Sequence, residues 1–176
     1  VKNGARGQVV DCAMTDGSAL LTAMMWGFAH KGFWQDQRGS NILDGAAPFY
    51  DVFETSDGHY MAVGAIEPQF YAALLSGLGL TDDPLMAVQM DISLWPAQKA
   101  RIAQVFATRT RSEWTAVFDP VDACVTPVLG MQDALAAPHN RQRQTFIEVG
   151  GVTQPAPAPR YSATPCAMPQ PPRLKS

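Results

Sequence analysis

Residues 41–64 read NILDGAAPFYDVFETSDGHYMAVG, and the order of residue types in this stretch decides the fold. Apolar and polar side chains alternate from Tyr50 to Thr55 and again from Tyr60 to Ile66. Between the two runs lie Ser56, Asp57, Gly58 and His59. Asp-Gly flanked by alternating runs is a strong sign of a β-hairpin. Just ahead of it, Leu43-Asp44-Gly45 puts a carboxylate among Ile42, Ala46, Ala47, Pro48 and Phe49. Two readings of Asp44 stay open from the residues alone. It is a turn former, favoured by hydrogen bonds to its own backbone. Or it is a proton-transfer group whose apolar surroundings raise its pKa toward neutrality.

Outward from the hairpin, helix and strand signals alternate. Gln8 to Met14 reads as a strand. Thr15 or Asp16 is the expected N-cap of a helix reaching about His30. That helix, GSALLTAMMWGFAH, is apolar almost all round, which predicts burial in a core or in a subunit interface. Residues 33–48 are a loop punctuated by glycines. Past the hairpin, Glu67-Pro68 opens a helix over 69–78, with Gly79 near its end. Residues 95–108 carry Ile102, Val105 and Phe106 on one helical face, and Ser112 to Phe118 form a further helix. A short strand broken at Pro127 is expected within 123–129, a helical turn over 131–136, and a last strand over 145–149. This order predicts an α/β or α+β domain with a small antiparallel element, not a doubly wound sheet with a glycine-rich phosphate loop.

Composition narrows the function classes. The chain has 176 residues, 47% hydrophobic and 16% charged, with a formal net charge of −3. Without a basic run, nucleic acid and anionic membranes are not expected partners. Cys12, Cys124 and Cys166 are far apart and show no zinc spacing, which fits a reducing, cytoplasmic setting. The most apolar segment, 19–29, is too short to span a bilayer. The chain opens on Val1, close to the expected first strand, and closes on a stretch holding seven of its fourteen prolines. Those ends suggest part of a longer protein.

Chemistry-bearing motifs are scarce. There is no GxSxG, HExxH, Walker loop or dinucleotide fingerprint, and no metal site is expected. Of the three histidines, His30 falls near a helix C-terminus, where an imidazolium is favoured. His59 falls in the hairpin turn. His139 follows Ala137-Pro138 and reads as a loop residue or a site wall. Met14, Met24, Met25, Met61 and Met90 offer either core packing or a soft, adaptable apolar surface.

Three stretches taken together, GQVVDCAMTDGSALL, residues 41–80 and DACVTPVL, resemble the α-methylacyl-CoA racemases of the family III CoA-transferase group. The resemblance runs in register from about Gly7 to Arg160, and the LDG-x-AP-x-Y form is similar to the racemase branch. It implies proton transfer at the α-carbon of a 2-methylacyl-CoA thioester, with no cofactor beyond the coenzyme A of the substrate. It also implies that Asp44 is one proton-transfer group and that the other is a His upstream of Val1. By the same resemblance the fold is a partial family III CoA-transferase fold. Residues 1–45 would be a strand and linking helix, 46–150 a small α+β domain with a return segment, and 151–176 a Pro-rich tail. Two subunits would interlock as a homodimer. Ala137 stands before Pro138-His139 where the family has Glu. The chain alone is then expected to be inactive. The rival readings are a CoA transferase of the same superfamily and an inactive remnant or dimerisation module.

Overall fold

The computed structural model describes Gly4 and residues 7–172. Residues 173–176 of the expected tail lie outside the described residues. The chain divides into two compact units, Val1–Pro127 and Val128–Ser176.

The hairpin organises the first unit. Strand β1 (Tyr50–Glu54) pairs antiparallel with β2 (Tyr60–Gly64), Tyr50 opposite Gly64 and Glu54 opposite Tyr60. Gly58 takes a φ of +72°, the left-handed conformation this turn requires and glycine adopts without strain. Strand β3 (Val125–Pro127) adds antiparallel to β2, giving the order β1-β2-β3. The pleat sends Phe53, Met61, Val63 and Val125 inward, where all four are buried, and leaves Tyr50, Val52 and Tyr60 exposed on the other face.

Three helices cover the inward face. Helix α3 (Pro68–Leu78) has Pro in its first turn and ends at Gly79, whose φ is +69°. Helix α4 (Trp95–Phe106) buries Trp95, Gln98, Ile102 and Phe106, one stripe of an amphipathic helix. Helix α5 (Arg111–Phe118) opens on a capping box in which Thr110 and Glu113 satisfy each other's backbone N–H groups. Its side chains complete an aromatic core. Phe53 stacks on Phe106 at 5.3 Å between ring centroids, and Phe106 meets Trp114 edge-on at 5.2 Å. The Trp114 indole N–H donates to the Phe106 carbonyl at 2.8 Å, so the indole is not stranded in the core. Burying a side chain such as Phe106 contributes about 1.5–3 kcal/mol. Gly77 lets α3 approach this core, because a Cβ there would lie 2.4 Å from the Phe118 ring. The hairpin tip is joined to α5 as well. Asp57 accepts from the Thr55 hydroxyl at 2.5 Å and from the Arg111 N–H at 3.2 Å. These bonds, the Thr55 one foremost, hold the Asp57 carboxyl below its ordinary pKa.

The N-terminal stretch departs from the sequence reading. Residues 8–13 form no strand, and Val9 is 96% exposed. The two valines give β-propensity, but no neighbouring strand among the described residues offers a ladder to join. The expected single helix is two, α1 (Met14–Leu21) and α2 (Ala23–His30). The first is capped at Ala13 without a side-chain hydrogen bond, so neither Thr15 nor Asp16 acts as its cap. The break falls at Thr22, whose hydroxyl donates to the Ala19 carbonyl at 2.9 Å and accepts from the Trp26 indole N–H at 3.2 Å. A hydroxyl bonded back into the preceding turn bends a helix. Neither helix has a buried residue in this chain. Among the described residues, no helix is long and apolar enough to cross a membrane.

The second unit contains α6 (Met131–Ala136), α7 (Pro138–Gln142) and an antiparallel pair, β4 (Phe146–Val149) with β5 (Val152–Pro155). Gly150 and Gly151 make the turn with φ of +60° and +80°. Helix α7 was not expected, and β5 occupies the start of the stretch read as tail. Pro155 is tolerated there because β5, in a two-stranded sheet, is an edge strand.

Candidate functional site

Asp44 sits in a loop that wraps round its carboxylate. The backbone N–H groups of Gly39, Ser40 and Asn41 donate to it at 3.1, 3.4 and 2.7 Å, and the Asn41 side-chain amide donates at 2.7 Å. Asn41 is itself only 3% exposed and clamps Gln35, giving to its carbonyl at 3.0 Å and receiving from its N–H at 2.7 Å. Partial burial pushes the Asp44 carboxyl up, but the four donors outweigh it and hold the group below the ordinary carboxylate range. The expected rise toward neutrality is therefore reversed. The apolar residues around Leu43-Asp44-Gly45 lie beside the loop, while its polar interior faces the carboxylate and favours the charged form.

Beyond Asp44 the loop turns at Gly45, whose φ is +94°. A Cβ at Gly45 would stand 3.9 Å from both carboxylate oxygens of Asp51, so loop and strand β1 are in close contact. Lys99, reaching over from α4, forms an ion pair with Asp51 and donates to the Gly45 carbonyl at 2.6 Å.

This loop walls an open cavity of about 530 Å³ on the outward face of the sheet. Its floor is the cross-strand row Val52, Ala62 and Thr126, which the register sets side by side. Asp44 and Asp51 stand on one side and Cys124 on another. Burial, then the nearby Asp122 and Glu67 carboxylates, push the Cys124 thiol up, so it is a poor nucleophile at neutral pH. An apolar floor with carboxylates at its edge suits a neutral acyl group.

The structure brings no histidine to this cavity among its lining residues. His30 is exposed in the last turn of α2, the helix C-terminus near which the sequence placed it. His59 is half-turned to Asp57 in the hairpin turn, its Nδ1 3.4 Å from a carboxylate oxygen. His139 lies in α7, in the second unit. Met61 is buried in the core, whereas Met14, Met24 and Met90 are exposed. Among the described residues no group of three His, Cys, Asp or Glu side chains is placed to hold a metal ion. Sequence reading missed Asp51 and Lys99. Asp51 had a signal, being a polar residue in an otherwise apolar strand start, but Lys99 had none, since only the fold brings it to residues 45 and 51.

Residues 1–175 match the family model described as CoA-transferase family III. The chain is 52% identical over 161 residues to the alpha-methylacyl-CoA racemase of Mus musculus, covering 91% of this chain and 42% of that protein. Against the Homo sapiens protein of the same name it is 47% identical over 162 residues, again 91% and 42%. Among solved structures, a CAIB/BAIF family protein from Brucella suis superposes with a TM-score of 0.72 at 20% identity, over 98% of this chain and 46% of that one. The chain thus spans less than half the length of the relatives it matches.

Proposed function

The chain belongs to CoA-transferase family III, and from that premise we propose that it serves a racemase acting on 2-methylacyl-CoA thioesters. Relatives and family together support a racemase or CoA-transferase type of enzyme. The observation that carries the finer reading is the 52% identity with a racemase-named protein over nearly all of this chain, cavity included. In this reaction a base removes the α-proton, the thioester becomes enolate-like, and an acid returns a proton on the opposite face. Hydrogen-bond donors must meet the developing oxyanion. In this reading the outward face of the sheet takes the acyl group, and the coenzyme A is carried by the substrate.

Asp44 stands at the cavity, but its carboxylate already accepts four hydrogen bonds and is a weak base for that reason. Those bonds favour a role as anchor of the cavity wall. Proton transfer by Asp44 would require it to release at least the Asn41 side chain. The proposal extends to assembly. Residues 1–45 act as the linking segment, 46–150 as the small domain and 151–176 as the tail of a homodimer. The exposed Leu20, Leu21, Met24 and Trp26 supply the apolar surface such a dimer covers.

The test is a chimera in which residues 7–160 replace the matching segment of the mouse protein. In heavy water with one enantiomer of a 2-methylacyl-CoA, it should place deuterium at C2 while chirality is lost. Transfer of coenzyme A between acids without C2 exchange would give the transferase reading instead.

A further inference from the structure

Lys99 leaves α4 with its ammonium turned toward Gly45, 54 positions earlier in the chain, and toward Asp51. There it donates to the Gly45 carbonyl at 2.6 Å and pairs with Asp51. Loop, strand β1 and α4 therefore meet at one cation. Gly45 lies directly over Asp51, close enough that a Cβ would touch both carboxylate oxygens. The junction has open space on two sides. One is the 530 Å³ cavity, which Gly45 and Asp51 line. The other is a second cavity of about 310 Å³, lined by Gly45, Lys99, Ser40 and Trp95. Lys99 thus stands in the partition between them. The hydrogen bonds to Asp44 run within residues 39–44, so they shape the loop without tying it to the sheet. Lys99 supplies such a tie.

We infer that Lys99 is a positioning residue. Through Gly45 and Asp51 it holds the Asp44 loop against the sheet and sets the opening through which an acyl group enters. This rests on the acyl-CoA reading above. A lysine suits the task because its compact ammonium can serve a carbonyl and a carboxylate at once from a flexible stem. Displacing one wall of a site by about 1 Å costs on the order of 100-fold in rate when that wall orients the reacting group.

The test compares the protein with Lys99→Met and Lys99→Arg. Met keeps the stem and removes the charge. Amide hydrogen exchange followed by NMR should be about tenfold or more faster in Lys99→Met at Gly39, Ser40 and Asn41, whose N–H groups face Asp44. Phe53 and Met61, in the sheet, should keep their rates, and Lys99→Arg should restore most of the loop protection. Equal acceleration in loop and sheet, or none in either, would overturn the tether. In the chimera, C2 exchange should show kcat reduced about 10–100-fold with a smaller change in KM. A loosened loop with both constants unchanged would overturn the positioning role. No C2 exchange in the unsubstituted chimera would overturn the acyl-CoA reading, and with it the placing of an acyl group. The amide rates would still decide whether Lys99 holds the loop.

Discussion

Helices α1 and α2 and helices α4 and α5 are both rich in apolar residues, yet they have opposite fates. The first pair buries nothing in this chain, with Leu20 76% and Trp26 71% exposed. The second pair buries Trp95, Ile102, Phe106, Trp114 and Phe118. The difference lies in the distribution of apolar residues around each helix. On α4 the buried residues recur at helical spacing and form one stripe, so a single sheet face suffices to cover them. On α2 the apolar residues go almost all the way round, so one face of one neighbour could never do so. Helix α1 carries Thr15, Asp16, Gly17 and Ser18 and leaves Leu20 and Leu21 without a covering face among the described residues. A striped helix tells where its core is. An all-round apolar helix tells only that it needs covering on several sides.

The largest effect expected from this contrast is at Phe106. Phe106→Ala removes a fully buried ring at the centre of the aromatic cluster and should cost about 3–5 kcal/mol of unfolding free energy. Urea titration reads this directly, and a loss below about 1 kcal/mol would mean the stripe on α4 is not what holds the unit together.

Asp44 sharpens the comparison at the edge of the packed region. Asp44→Asn keeps the shape but weakens the bonds from Gly39, Ser40 and Asn41, for an expected loss of about 1–2 kcal/mol after allowance for solvent screening. The sign of its pH dependence is fixed by the lowered folded pKa. An unfolded Asp titrates near about 3.9, so the stabilisation is present above about pH 4 and fades as pH falls through the lower folded value. Thermal melts of both forms from about pH 7, where an Asp is fully charged, down to about pH 2, well below its unfolded pKa, should converge toward the acid end. The same substitution in the chimera separates the two roles of Asp44. A fall of about 100-fold or more in C2 exchange with stability intact would make it a proton-transfer group.

The smallest effect belongs to the uncovered helices. Leu20→Ser should change protomer stability by no more than about 0.5 kcal/mol, because its side chain is 76% exposed. Its effect should appear in sedimentation, as weaker self-association. A loss above about 2 kcal/mol in the monomer would show that α1 is packed within the protomer.

The parts of the fold legible in the sequence were those set by local rules. Asp57-Gly58 fixed the hairpin, Gly79 marked a helix end, and the stripe ending at Phe106 located the core face, whereas the cap of α5 at Thr110 went unread and its start was placed at Ser112. The strand expected over residues 8–14 failed because strands need partners that propensity does not supply. Strand β5 was hidden by the prolines around it, although Gly150-Gly151 was a turn signal in plain view. At the site, the position of Asp44 was readable but its surroundings were not. Its pKa depends on where three backbone N–H groups point, which composition does not encode. Lys99 and its partners become neighbours only through the packing of α4 beside the hairpin.

The close approach at Gly77 also limits how this protein can vary. With the Phe118 ring lying where a side chain at 77 would begin, Ala at 77 demands either a smaller residue at 118 or a displaced α3. A smaller residue at 118 beside Gly77 would in turn leave a hole in the aromatic core. Neither change is neutral on its own, so a side chain at 77 and the size of the residue at 118 constrain each other.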